Sequence, residues 1–139
     1  MRVQQLQRTL KEKKLSFITI RDGQIYDSHL RGVAPILNPM KKDIYYFKDA
    51  IIVDKVIGKA AAMLLTLSKV RYVYAYVISE SAIEIFNQYH ISYDYTKRVP
   101  YIINRSKDGM CPMEQAVNNI TNLNMAFEIL KDKQKDMLN

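Results

Sequence analysis

From Ala50 onward the chain alternates short runs rich in β-branched and aromatic residues with stretches carrying apolar residues at helical spacing. That alternation is the signature of βα units packed around a sheet, and it admits few other architectures. "AIIV" is apolar on both faces, as a strand covered on both sides must be. "DKVIGKAAAMLLTL" follows as a helix, with Asp54 placed to cap its N-terminus. Gly58 and Ala60, Ala61 and Ala62 would let that helix lie close to the sheet. The pattern repeats in "RYVYAYVIS" followed by "ESAIEIFNQY", and in "ISYDYT" followed, beyond Asn104, by "CPMEQAV".

The first third reads differently. Residues 3 to 13 place Val3, Leu6 and Leu10 on one stripe of an otherwise polar helix. "LSFITIRDGQIYDS" holds two β-rich runs around Asp22-Gly23, a dipeptide that accepts the positive φ angles of a tight hairpin turn. In "RGVAPILNPMKK", Pro35 marks a helix start and Pro39 keeps the helix short. "NLNMAFEILKDKQK" closes the chain as a helix with lysines toward its C-terminal end, where they complement the dipole. On its apolar face Met125, Phe127 and Leu130 suit either the core or a homodimer contact. The resulting order is helix, strand, strand, short helix, then three strand-helix pairs and a last helix. This is a single α/β domain, residues 1–139, with a mixed five-stranded sheet between two helical layers.

Composition narrows the partners. The formal charge of +7 among 139 residues favours anions: nucleotides, other phosphorylated metabolites or RNA. One cysteine excludes an intrachain disulfide, and the start of the chain shows no secretory signal, so the expected compartment is the cytoplasm. No apolar run reaches the length of a membrane span.

In α/β sheets ligands gather where parallel strands hand over to helices. Three handovers here carry polar or reactive groups: Asp54 with Lys55, Glu80 with Ser81, and Asn104 through Cys111. Asp54 suits either a helix cap or a group orienting a substrate amine or water. Lys55 and Lys59, four apart, would share a helix face and meet a phosphate. Arg31 with Gly32 is a similar candidate, since a glycine before a helix lets backbone N–H groups approach an anion. Glu80 suits a first helical turn or proton transfer. Pro112 fits the first position of a helix capped by Cys111, with Glu114 where a capping-box acid reaches back. The Cys111 thiol is then either a cap or, activated by helix N–H groups and a nearby lysine, a nucleophile or sulfur carrier.

"VDKVIGKAAAMLL", "VYAYVISE" and "VPYIINRSKDGMCPMEQAV", with "RGVAPIL" upstream, resemble the proteins grouped as domain of unknown function 1893, from about Leu6 to Phe127. The resemblance implies a cytidine deaminase-like fold, and "DKVIG" is also similar to a segment of formate dehydrogenase accessory proteins, which share that fold and handle sulfur. Zinc deaminases carry His-x-Glu or Cys-x-Glu at one helix start and Pro-Cys-x-x-Cys at the next. The matching positions, "LRGVAP" and "VDKVIG", hold neither, and His29 faces no cysteine pair. Hence no metal and no cofactor is expected. Two readings follow: an enzyme or degenerate enzyme holding a nucleotide-like anion at Arg31, Gly32, Asp54, Lys55, Gly58, Lys59, Asn104, Cys111 and Glu114, or a non-catalytic binder of RNA or an anionic regulator.

Overall fold

A computed structural model of the chain describes residues 2–104, 106–107 and 109–138. Eleven elements follow the expected order: α1 (Arg2–Glu12), β1 (Phe17–Arg21), β2 (Gln24–Ser28), α2 (Ala34–Met40), β3 (Ile51–Ile57), α3 (Lys59–Leu67), β4 (Tyr72–Ser79), α4 (Glu80–Gln88), β5 (Ser92–Val99), α5 (Pro112–Val117) and α6 (Leu123–Leu138). The strands form one mixed sheet in the order β2-β1-β3-β4-β5. β1 is antiparallel to both its neighbours, and β3, β4 and β5 are parallel.

The hairpin forms where the turn dipeptide places it, with φ of 50° at Asp22 and 79° at Gly23. In α2, Pro39 lacks the N–H that would bond Pro35 four residues earlier. The Tyr26 hydroxyl donates to the Pro35 carbonyl instead, at 2.9 Å, which ties the short helix to the hairpin.

Two apolar clusters hold the layers together. Leu6 and Leu10 of α1 pack with Leu15, Ile18 and Val53 on one face of the sheet. The larger cluster, on the other face, brings Phe17, Ile52 and Val73 against Leu37, Met63, Leu64, Phe86, Val117 and Leu130. Each such fully buried side chain contributes on the order of 1.5–3 kcal/mol through burial. Phe127 and Leu130 are core residues, while Met125 stays 53% exposed.

One boundary departs from the sequence reading and changes the site. β3 does not stop at Val53; it continues through Asp54 and Lys55 to Ile57, paired with β4 on both sides of Lys55. Asp54 is therefore not a helix cap: α3 begins at Lys59, with Gly58 in the cap position. Lys55 lies on the strand and Lys59 on the helix, so the two share no helix face.

Candidate functional site at the strand ends

β2 runs antiparallel to β1, and β1 antiparallel to β3, so β2 points the same way as the three parallel strands. Four C-terminal strand ends therefore lie at one edge of the sheet. Ser28, Phe17, Asp54, Ala75 and Tyr95 pair in a row across the sheet, at the end of β2 but three or four residues short of the ends of β3, β4 and β5. Paired residues share a face, and Phe17 and Ala75 belong to the larger core, so Asp54 projects into that core between them.

Asp54 is an ionisable group in an apolar place. Its side chain is buried, Oδ1 accepts the Val56 N–H at 3.3 Å, and Oδ2 is buried without a hydrogen-bond partner. Loss of hydration pushes its carboxyl up to about 8, against a smaller opposing effect of the Val56 and Lys55 N–H groups. At neutral pH this side chain carries its proton and is a hydrogen-bond donor. An unpaired buried polar atom costs about 1–3 kcal/mol, so its retention calls for a reason.

Two exposed cations, Arg31 and Lys55, are tied through the backbone to Ser16 at the start of β1. The Lys55 N–H donates to the Ser16 carbonyl at 3.1 Å, the Ser16 N–H donates to the Ser28 carbonyl, and the Ser16 hydroxyl donates to the Leu30 carbonyl. Ser16 thus ties the start of the Arg31-Gly32 turn to the backbone of Lys55. Gly32, at φ +65°, turns the chain toward α2. Arg31 and Lys55 are both exposed, and neither has an acidic partner among the described residues.

Gly58, Lys59, Cys111 and Glu114 form a second group with a different function. Glu114 does not reach back to cap its own helix. Its Oε1 accepts the Lys59 N–H at 2.7 Å and its Oε2 the Ala60 N–H at 2.8 Å, so a residue of α5 caps α3. A Cβ on Gly58 would lie 2.8 Å or less from both carboxylate oxygens and from Cδ. Gly58 thus serves the close approach of Glu114. Burial raises the Glu114 carboxyl, more than the Ala60 and Lys59 N–H groups and the Lys59 ammonium lower it. Lys59 Nζ donates to the Asn118 carbonyl at 2.9 Å, completing a two-way clasp between α3 and α5. Cys111 occupies the cap position of α5 with its side chain accepting no bond from that helix; its own N–H donates to Ile102 O at 3.0 Å. The thiol is half-buried and packs against the large core.

The third handover is an exposed ion pair. Glu80 opens α4, where Ser79 is the cap through a bond from the Ala82 N–H, and its carboxylate meets Arg98 at 3.6 Å. Both side chains are about half exposed (51% and 53%), so the pair is worth under about 1 kcal/mol. Glu80→Gln is expected to change the free energy of unfolding by less than about 0.5 kcal/mol; a larger loss in urea titration would mean that Glu80 supports more than this pair. Asn104 lies in the loop before α5, its N–H bonded to Gly109 O. Within the stretch from Asn104 to Cys111, residues 105 and 108 lie outside the described residues.

The edge therefore gathers the expected residues by topology but divides them by contact. Ser16 bonds the Lys55 N–H and the Leu30 carbonyl just before Arg31, Asp54 is buried beside Phe17, Glu80 pairs with Arg98, and Gly58, Lys59 and Glu114 form a structural clasp. Ser16 and Arg98 have no signature in the sequence, since their roles come only from the pairing of strands. Among the described residues no three His, Cys, Asp or Glu form a metal-sized group, and no helix is long and apolar enough to cross a membrane.

The model of a family described as "Domain of unknown function (DUF1893)" matches residues 5–134. Among solved structures, the chain is similar to the crystal structure of a DUF1893 family protein (TM1506) from Thermotoga maritima. The two share 26% identity over 94% of this chain and 88% of the other, with a TM-score of 0.86. No curated protein matches the chain.

Proposed function

Because this chain belongs to the DUF1893 family, whose description names no activity, we propose from its own geometry that it binds a small nucleotide-like anion at the C-terminal edge of the sheet. The observation that carries this reading is Asp54: a buried carboxyl whose Oδ2 has no partner, held protonated at neutral pH between Phe17 and Ala75. Arg31, after β2, and Lys55, on β3, are exposed cations without acidic partners among the described residues, and in this reading they supply positive charge at that edge. In this reading the cations hold a phosphate or carboxylate at the strand ends, and Asp54 donates a hydrogen bond or a proton to a ligand atom that reaches in beside β3. The cytidine deaminase-like fold that the family resemblance implies would place a ligand at the same edge, since α/β sheets bind ligands there. It lends no zinc chemistry, for the ligand motifs of that chemistry are missing from the sequence.

A thermal-shift screen of nucleosides, nucleotides and sugar phosphates tests the proposal. A ligand at a hundred times its dissociation constant stabilises the fold by about 2.7 kcal/mol, a shift of several degrees. Lys55→Ala and Arg31→Ala are expected to weaken a nucleotide hit about tenfold each while leaving the unliganded melting temperature within about a degree or two, since both side chains are exposed. No hit in the screen, or a hit that both variants retain at full strength, defeats the site. Binding of RNA with a steep salt dependence and no small-ligand hit would point to the basic surface instead.

A further inference from the structure

A groove of about 400 Å³ opens at the other end of the molecule. Its walls come from segments that immediately precede the parallel strands: Tyr45 before β3, Lys69 before β4, and Tyr89 and Ile91 before β5, with Thr66 of α3 and Leu123 at the start of α6. It therefore lies at the N-terminal edge of the parallel strands, opposite the edge discussed above. None of its lining residues belongs to the set expected from the sequence.

Three features single it out. Tyr45 and Tyr89 are 50% and 38% exposed, whereas most of the large apolar side chains around the helical layer are buried. The Lys69 ammonium lies 5.7 Å from the centre of the Tyr45 ring and has no acidic partner among the described residues. Thr66 lines the groove at only 7% exposure, and its Oγ1 is buried with no hydrogen-bond partner. The neighbouring Ser68 shows the contrast, its hydroxyl accepting the Phe47 N–H at 2.9 Å.

We infer that this groove is a second ligand site, for a planar aromatic ring carrying one anionic group. The volume is that of a small-molecule pocket. Two tyrosine rings offer stacking faces, Ile91 and Leu123 an aliphatic floor, Lys69 a cation for the anionic group, and Thr66 a polar anchor. The positive end of α6, which begins at Leu123, adds to the attraction for an anion. The inference stands independently of the strand-end site.

Titration of the protein with adenosine 5′-monophosphate, followed by amide chemical shifts and calorimetry, tests it. Shifts are expected to cluster at Thr66, Lys69, Tyr89 and Leu123, with adenosine alone and inorganic phosphate alone each binding at least about tenfold more weakly. Lys69→Ala is expected to weaken binding in the groove about tenfold, and the isosteric Thr66→Val about threefold, with melting temperature checked so that lost folding is not read as lost binding. Asp54→Asn and Lys55→Ala are expected to leave these shifts unchanged, which separates this site from the one at the strand ends. The inference is overturned by an absence of shifts at these amides in millimolar nucleotide, by Lys69→Ala binding as tightly as the parent, or by phosphate alone binding as tightly as the nucleotide.

Discussion

Asp54→Asn is expected to make the protein more stable above neutral pH and no more stable in acid. The sign follows from proton linkage. The carboxyl sits at about 8 in the folded protein and near its ordinary 3.8 when unfolded. Below about pH 4 both states hold the proton, and the full stability is present. Between about pH 4 and pH 8 the folded state keeps a proton that the unfolded chain has released, so stability falls as pH rises, by up to ~1.4 kcal/mol per pH unit. Above about pH 8 the loss levels off. Asparagine removes the ionisation but brings two amide hydrogens to a place where Oδ2 has no partner, a cost of about 1–3 kcal/mol. The variant is thus expected to be slightly weaker than the parent at pH 4 and stronger at pH 8, the curves crossing between. Glu114, also raised by burial, contributes a slope of the same sign in both proteins. Urea unfolding across this pH range checks the result; parallel curves would show that Asp54 is ionised throughout. A variant that gains stability at pH 8 and loses ligand binding would identify Asp54 as a group retained for function against its structural cost.

Gly58→Ala is expected to destabilise the fold by about 2–4 kcal/mol, a large effect for adding one methyl group. The new Cβ meets the Glu114 carboxylate at 2.8 Å or less, and that side chain cannot simply swing away. It is buried, and both its oxygens hold N–H groups of the first turn of α3. Moving it leaves Lys59 N and Ala60 N without their acceptor and a carboxylate without its donors. Glu114→Ala is expected to cost about 2 kcal/mol by removing the same cap. The informative measurement is the double variant. If Gly58 matters only because Glu114 approaches it, the collision vanishes once Glu114 is truncated, and Gly58→Ala in that background costs under about 1 kcal/mol. Additive losses in chemical denaturation would show instead that Gly58 is needed by the backbone, which at φ −105° makes no demand for glycine.

The two predictions rest on residues whose types and neighbours in sequence were legible but whose roles were not. Asp54 stands just before an apolar stretch at helical spacing, and locally nothing distinguishes a helix cap from a strand residue there. What decides is pairing: Phe17 on one side and Ala75 on the other bury Asp54, and Val77 and Ile78 of β4 carry β3 past it. Glu114 has the position of a capping-box acid relative to Cys111, yet its partners are 54 and 55 residues away, and no local pattern encodes them. The groove was wholly illegible, because its walls come from turns and helix ends that are neighbours only in the folded chain.

Local patterns did determine the order of all eleven elements, the Asp22-Gly23 turn, the brevity of α2 and the sharing of one edge by the strand ends. These depend on periodicity and backbone preference, which act over a few residues and are written in them. Tertiary structure alone decided which polar groups at that edge are structural and which are unsatisfied. Burial and hydrogen-bond partnership belong to pairs of distant residues, so they exist only once the sheet has closed and α5 has docked against α3.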